Sequence, residues 1–96
     1  MAYDWRGYLN ARQIADQIEF YVRSVLMGYS NWTIGITDDP ARRRQEHQRA
    51  GRDVRRWRYW QTASEEDARV VENYFINLGM DGGVGGDTNG RFVYIF

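Results

Sequence analysis

Arg43 and His47 are residues whose types and spacing suggest chemistry. They lie four positions apart in a segment of helical character, so both side chains project from one face of that helix. The planar guanidinium of arginine pairs well with phosphate oxygens. Histidine titrates near neutral pH and can exchange a proton with a bound group. The pair therefore predicts a phosphate contact beside a proton donor or acceptor, whereas a single histidine on a charged helix is more often structural.

Glu72 is the third residue of chemical interest, because it lies in a largely apolar stretch beside Val71 and Phe75. A buried carboxylate is costly unless it is paired with a cation or bound to a metal. Mg²⁺ keeps most of its waters and needs few protein ligands, so a single carboxylate can hold it. Two interpretations stay open at this point, an ion pair with one of the arginines and a single ligand for a hydrated divalent cation.

The composition excludes several kinds of site. The chain has 96 residues, no cysteine and one histidine, which excludes disulfides, thiolate metal sites, iron–sulfur clusters, cysteine nucleophiles and multi-histidine metal cages. Its length predicts a single domain over residues 1–96. No apolar run approaches the ~20 residues of a transmembrane helix, and the N-terminus lacks the apolar core of a signal peptide. We therefore expect a cytoplasmic domain with no membrane partner.

Positive charge is concentrated in one segment. All 13 basic residues are arginines and the net charge is zero, but residues 42–58 hold eight arginines and two acids, a net charge of +6. Such a segment predicts either an anion site, for which nucleic acid is the natural partner, or a solvated arginine-rich surface. The arginines that we expect to contact nucleic acid are Arg42, Arg44, Arg55, Arg56 and Arg58.

The elements that must position these residues alternate as α-β-α-β-α-β. Asn10 and Gln13 form a capping box for an amphipathic helix over about 10–27, which Gly28 ends. Asp39 caps a second helix that starts at Pro40. The remaining elements are strands over 32–37, 54–62 and 91–96 and a helix over 64–79, with a glycine-rich connector over 81–90.

The fold class that follows is α/β (α+β), a small three-stranded sheet flanked by helices. The strand over 54–62 carries bulky side chains on both faces, which favours a central or covered position in the sheet. The apolar stripe of the third helix is expected to consist of Val70, Val71, Tyr74, Phe75 and Leu78.

The segment 33–47, TIGITDDPARRRQEH, resembles the second motif of the GIY-YIG nucleases. That motif is a strand with an aliphatic residue and a glycine, a turn, and a helix with the pattern Arg-x-x-x-His. The segment 72–76, ENYFI, is similar to the glutamate-containing helix of the same family. The resemblance extends over about half of the chain, residues 32–80.

The resemblance implies a divalent-metal-dependent endonuclease that hydrolyses DNA phosphodiester bonds. Arg43 would bind and polarise the scissile phosphate, and His47 would assist proton transfer or contact the phosphate. Glu72 would hold a single Mg²⁺ or Mn²⁺, and Gly35 would allow close approach of neighbouring backbone. The alternative is a non-catalytic nucleic-acid-binding or protein-interaction module on the same fold.

The family's tyrosines, which take part in removing a proton from the nucleophilic water, need counterparts in this chain. No Gly-Ile-Tyr strand precedes Thr33, and Thr33 stands at the tyrosine position of the second motif. The hydroxyl of Tyr21 or of Tyr29 could take the place of the family's catalytic tyrosine, and we assign Tyr21 as the candidate. Asn89 is a loose match for the asparagine that follows the family's glutamate.

Overall fold

The computed structural model describes residues 10–82 and 90–96. The elements are α1 (Ala11–Val25), β1 (Ile34–Thr37), α2 (Pro40–Arg49), β2 (Arg58–Gln61), α3 (Glu65–Asn77) and β3 (Phe92–Ile95). The predicted α/β class and element order are confirmed. No helix within the described ranges is long and apolar enough to cross a membrane. Most of the glycine-rich connector, including Asn89, lies outside the described residues.

The sheet has the order β1-β3-β2, and β3 pairs antiparallel with both neighbours. The predicted central position of the 54–62 strand is wrong, because β2 is an edge strand and the C-terminal strand occupies the centre. β2 is also shorter than predicted. Asp53 accepts a hydrogen bond from the backbone N–H of Arg55, and the N–H of Trp57 donates to the carbonyl of Val54, so the chain turns before the strand begins.

Side-chain caps begin the three α-helices of the described residues, and the sequence predicts two of these caps, Asn10 and Asp39. The caps are Asn10, Asp39 and Ser64, each of which accepts a hydrogen bond from a backbone N–H three residues further on. The end of α1 differs from the prediction. Leu26, not Gly28, closes that helix in the left-handed conformation, with φ of 59°.

The two faces of the sheet pack against different partners because side chains alternate along β3. Val93 and Ile95 join the main core with residues of α1 and α3. Tyr94 and Phe96 project to the opposite face, where they form a smaller aromatic cluster with Val54 and Trp57. This second face is the one over which α2 lies.

The buried stripe of α3 is narrower than the sequence predicts. Val71 and Phe75 are buried as expected, together with Ala68. Val70, Tyr74 and Leu78 are between 41% and 53% exposed, so the prediction that they are core residues is wrong. The helix packs against α1 and the sheet through a single edge of its apolar surface, which leaves the flanking residues in contact with solvent.

Candidate active site

A hydrogen-bonded cluster of Arg43, His47 and Tyr94, the Tyr94 cluster hereafter, lies between α2 and β3. The Tyr94 hydroxyl is 3.2 Å from Nε of Arg43 and 3.1 Å from Nε2 of His47. The two α2 residues share a helix face, as their spacing predicts, and that face lies over the sheet. Residues about 50 positions apart in the chain are thus brought to one hydroxyl group by the central strand.

Hydrogen-bond chemistry assigns the direction of these contacts. Nε of Arg43 can only donate, so the Tyr94 oxygen accepts from it, and the Tyr94 O–H can then donate to an unprotonated His47 Nε2. Burial, followed by the positive charges of Arg43 and Arg52, lowers the pKa of His47 below its usual value. His47 is therefore neutral at pH 7 and able to accept a proton. Acidification below the ordinary histidine pKa charges a group that the folded state disfavours, so stability is lost as pH falls.

Arg43 is a largely buried cation, with 14% of its side chain exposed. Burial opposes its charge, but hydrogen bonds to Tyr94 and Glu46 keep its pKa above the ordinary value. One guanidinium N–H donates to Glu46 at 3.0 Å and Nε donates to Tyr94. A guanidinium has five N–H donors, so others remain for an anion.

Gly35 makes room for the Tyr94 side chain. The two residues are directly opposite in the β1–β3 register, and a Cβ atom on Gly35 would collide with the phenol ring and its hydroxyl. The indole of Trp57 stacks on the same ring, with centroids 4.5 Å apart and planes at 15°. The ring is thus fixed between a strand without a side chain and an aromatic neighbour, which directs the hydroxyl toward Arg43 and His47.

Gly35→Ala is expected to displace the Tyr94 ring and break both hydrogen bonds of its hydroxyl. We expect the free energy of unfolding to fall by about 1–3 kcal/mol, the usual cost of overpacking. Denaturant titration measures that loss, and NMR of the His47 ring reports the loss of its Tyr94 contact. Gly28→Ala is the matched control, because the nearest atom to its added Cβ, on Asn31, is 4.0 Å away. Unchanged His47 signals in Gly35→Ala would contradict this role for the glycine.

Glu72 lies apart from the Tyr94 cluster on α3, which packs on the other face of the sheet. Helical spacing places it on the side of α3 that faces away from α1, near Ile76, whose side chain would collide with a Cβ atom on Gly82. No hydrogen bond or ion pair joins its carboxylate to another residue in the described ranges. Burial raises the pKa of this half-buried group, and the charge of Arg69 lowers it by a smaller amount.

The surroundings of Glu72 are compatible with a hydrated divalent cation. The carboxylate is partly desolvated, and the charge of Arg69 offsets only part of the effect of burial on its pKa. A bound cation would relieve the remaining cost. No group of three or more acidic, histidine or cysteine side chains that could form a larger metal site occurs in residues 10–82 and 90–96. Any cation here would therefore keep most of its water ligands.

Tyr21 and Tyr29 are not brought near Arg43. Tyr21 belongs to α1 on the opposite face of the sheet, where it packs against Trp32, and the guanidinium of Arg58 lies 4.3 Å above its ring. Tyr29 packs against Phe75 of α3. Tyr94 is the tyrosine that sequence reasoning missed. Its signal was present in the alternation of the terminal strand, which places a tyrosine on the face opposite the aliphatic residues.

The arginines predicted to contact nucleic acid do not form one patch. Arg42 pairs with Asp38 at 2.8 Å, and the Arg55 guanidinium pairs with Asp53 at 2.8 Å. Arg58 lies on the α1 side of the sheet, above Tyr21. Arg44 is half-buried on α2, and Arg56 is exposed in the turn before β2. The positive segment of the sequence is thus divided between two faces, and part of its charge is neutralised locally.

Comparison with known proteins gives no relative: the chain matches no family model, no curated protein and no solved structure.

Proposed function

We propose that this chain is a small cytoplasmic endonuclease of the GIY-YIG type, which hydrolyses DNA phosphodiester bonds with a divalent metal ion. The observation that carries the proposal is the Tyr94 hydroxyl hydrogen-bonded to both Arg43 and His47. The sequence resemblance assigns catalytic roles to Arg43 and His47. It also requires a tyrosine, which the matching segment does not supply, and the Tyr94 hydroxyl lies within hydrogen-bond distance of both residues.

The position of Tyr94 in the chain differs from the family pattern, but its position in space is consistent with it. The resemblance predicts a tyrosine-bearing strand ahead of the strand that contains Gly35. Here the strand that pairs with β1 comes last in the sequence, and its Tyr94 lies opposite Gly35. Strand pairing depends on where strands lie in the sheet and not on their order along the chain, so β3 can supply the missing group.

The Tyr94 cluster suggests a division of roles. Arg43 would bind a non-bridging phosphate oxygen and stabilise the negative charge that develops there. Tyr94 would accept a proton from the attacking water while its own proton passes to the neutral His47 Nε2. The water oxygen forms a bond to phosphorus as the bond from phosphorus to the leaving oxygen breaks.

Glu72 is the residue that would hold the divalent cation. Mg²⁺ or Mn²⁺ held there would supply positive charge to bound DNA. Because Glu72 belongs to the helix on the other face of the sheet, we assign this cation no contact with the phosphate bound at Arg43. Glu72 itself would provide one carboxylate oxygen as ligand, which is consistent with a half-buried acid whose pKa burial raises despite the charge of Arg69.

A binding module without catalysis is the second candidate. One observation favours it: Glu46 already occupies part of the Arg43 guanidinium, at 3.0 Å, and its charge competes with that of a phosphate. On this alternative Arg43 would be a structural residue, and the protein would bind nucleic acid through its remaining arginines.

Arg43→Ala tests the proposal against this alternative. We expect wild type to nick supercoiled plasmid in Mg²⁺, and the variant to lose at least about 10²-fold in rate, as when a charge-stabilising donor is removed. Arg23→Ala, which removes an equal charge from α1 on the other face, is expected to leave the rate unchanged. Salt-sensitive DNA binding without nicking by the folded wild type would contradict the nuclease and support the binding module.

A further inference from the structure

A cavity of about 250 Å³ opens beside the Tyr94 cluster, between the turn that follows α2 and the segment that precedes β1. Its lining includes two arginines and two short polar side chains that can donate hydrogen bonds. These residues are Asn31, Thr33, Arg52 and Arg56, and the ring of Phe96 forms part of the wall. No element of the predicted site included this cavity.

The cavity has a net positive charge. Arg52 donates a hydrogen bond to Thr33 Oγ1 at 3.0 Å, and its guanidinium lies 5.0 Å above the Phe96 ring. Neither Arg52 nor Arg56 belongs to the ion pairs of the described residues, although the charge of Arg56 acts on Asp53 and helps to lower its pKa. Asp53 also lines the cavity, but its carboxylate accepts hydrogen bonds from the backbone N–H of Arg55 at 3.0 Å and from the Arg55 guanidinium at 2.8 to 3.2 Å. The two cavity arginines are therefore available to an anion.

The cavity and the Tyr94 cluster share a wall. The Phe96 ring that lines the cavity is 4.6 Å from the ring of His47, centroid to centroid. The positive charge of Arg52 also acts on His47, where it helps to lower the pKa of the imidazole. An extended polyanion that contacts Arg43 can thus reach Arg52 and Arg56 without leaving this face of the molecule.

We propose that this cavity binds a second phosphate group of the nucleic-acid substrate, next to the phosphate bound at Arg43, an inference that rests on the proposed function. Two guanidinium groups, a hydroxyl and an amide are the donors that phosphate oxygens accept from. The phosphate comes either from an internal phosphodiester or from a strand's terminal monoester. Arg55 and Arg58 are close to Arg56 in the sequence but do not line the cavity.

Binding of inorganic phosphate and of short single-stranded oligonucleotides tests the cavity. We expect phosphate to perturb the backbone amide signals of Asn31 and Thr33 in NMR spectra. Arg56→Ala is expected to weaken oligonucleotide binding about tenfold and to reduce the slope of log affinity against log salt by about one. Arg23→Ala is the matched control, since it removes the same charge from α1 on the opposite face, and should leave both quantities unchanged.

A second variant tests the cavity site through an expected gain of affinity. Asp53→Asn removes the acid that lines the cavity and releases Arg55, so we expect tighter binding, an effect that loss of folding cannot produce. Stronger binding of a 5′-phosphorylated strand than of its unphosphorylated form identifies a terminal monoester as the ligand, and equal binding identifies an internal diester. Both results support the site.

Failure of the cavity site and failure of the proposed nuclease give different results. Equal affinities of Arg56→Ala and Arg23→Ala, with no response of the Asn31 and Thr33 amides to phosphate, would overturn the cavity site whether or not the protein cleaves DNA. Absence of cleavage by wild type, with these phosphate responses intact, would overturn the proposed nuclease and leave the anion site in place.

Discussion

Tyr94→Phe is expected to reduce the rate of DNA cleavage by about 10²–10⁴-fold, the contribution typical of general acid–base catalysis. The substitution removes one oxygen atom. The aromatic ring remains stacked on Trp57 and opposite Gly35, so the fold is expected to persist. Single-turnover nicking of plasmid DNA measures the effect, and circular dichroism with thermal unfolding verifies that the variant is folded.

Tyr59→Phe is the control for this prediction. Tyr59 is the cross-strand neighbour of Tyr94 on β2, so it lies on the same face of the sheet, but it is half exposed and lies outside the Tyr94 cluster. Its hydroxyl is expected to make no contribution to cleavage. Wild-type cleavage by a folded Tyr94→Phe variant would show that Tyr94 is only a packing residue.

Glu72→Gln is expected to abolish metal-dependent cleavage, with a loss of at least about 10²-fold, because the neutral amide cannot replace the carboxylate as ligand of the divalent cation on which cleavage depends. The same substitution should not destabilise the protein. Burial raises the pKa of Glu72 in the folded state, so ionisation opposes folding above that pKa, and wild-type stability increases as pH falls through it. At pH 7 we expect a gain below about 1 kcal/mol, since solvent screens this half-exposed group.

Titration of cleavage rate with Mg²⁺ and of unfolding with denaturant, at pH 7 and pH 5, measures both effects. Glu66→Gln on the same helix is the control, because Glu66 is exposed at the first turn of α3. A destabilised Glu72→Gln with an unchanged response to Mg²⁺ would establish the other interpretation of this acid, a structural ion pair.

Local sequence patterns were sufficient to predict most of the elements. The side-chain caps Asn10 and Asp39 indicated two of the helix starts, because each satisfies a backbone N–H of the first turn whatever the rest of the chain does. The four-residue spacing likewise placed Arg43 and His47 on one helix face. These are interactions within a few residues, which sequence displays directly.

The central position of β3 could not be predicted in this way. It depends on pairing between the last strand and two strands more than 30 residues before it, and nothing local specifies that register. Tyr94 was missed for this reason. The family pattern places the catalytic tyrosine before Thr33, which favoured Tyr21. The hydroxyl that contacts Arg43 and His47 instead belongs to Tyr94, near the end of the sequence.

The basic segment shows a different limit of sequence reasoning. Its net charge predicted an anion site, but not which arginines remain available to an anion. Asp38 and Asp53 each neutralise a neighbouring arginine through a short-range pair, and the turn before β2 places Arg56 and Arg58 on different faces. Residue contacts, more than charge density, determine where a phosphate can bind.

The catalytic role of Tyr94 is tested most directly by nicking of supercoiled and branched DNA in Mg²⁺ or Mn²⁺. Wild type, Tyr94→Phe and Tyr21→Phe are compared side by side. Both substitutions remove one hydroxyl and keep the ring, and they differ in the face of the sheet that they affect. A catalytic role of Tyr94 predicts metal-dependent cleavage by wild type and Tyr21→Phe, and its loss in Tyr94→Phe. Cleavage that survives in Tyr94→Phe and disappears in Tyr21→Phe would contradict it.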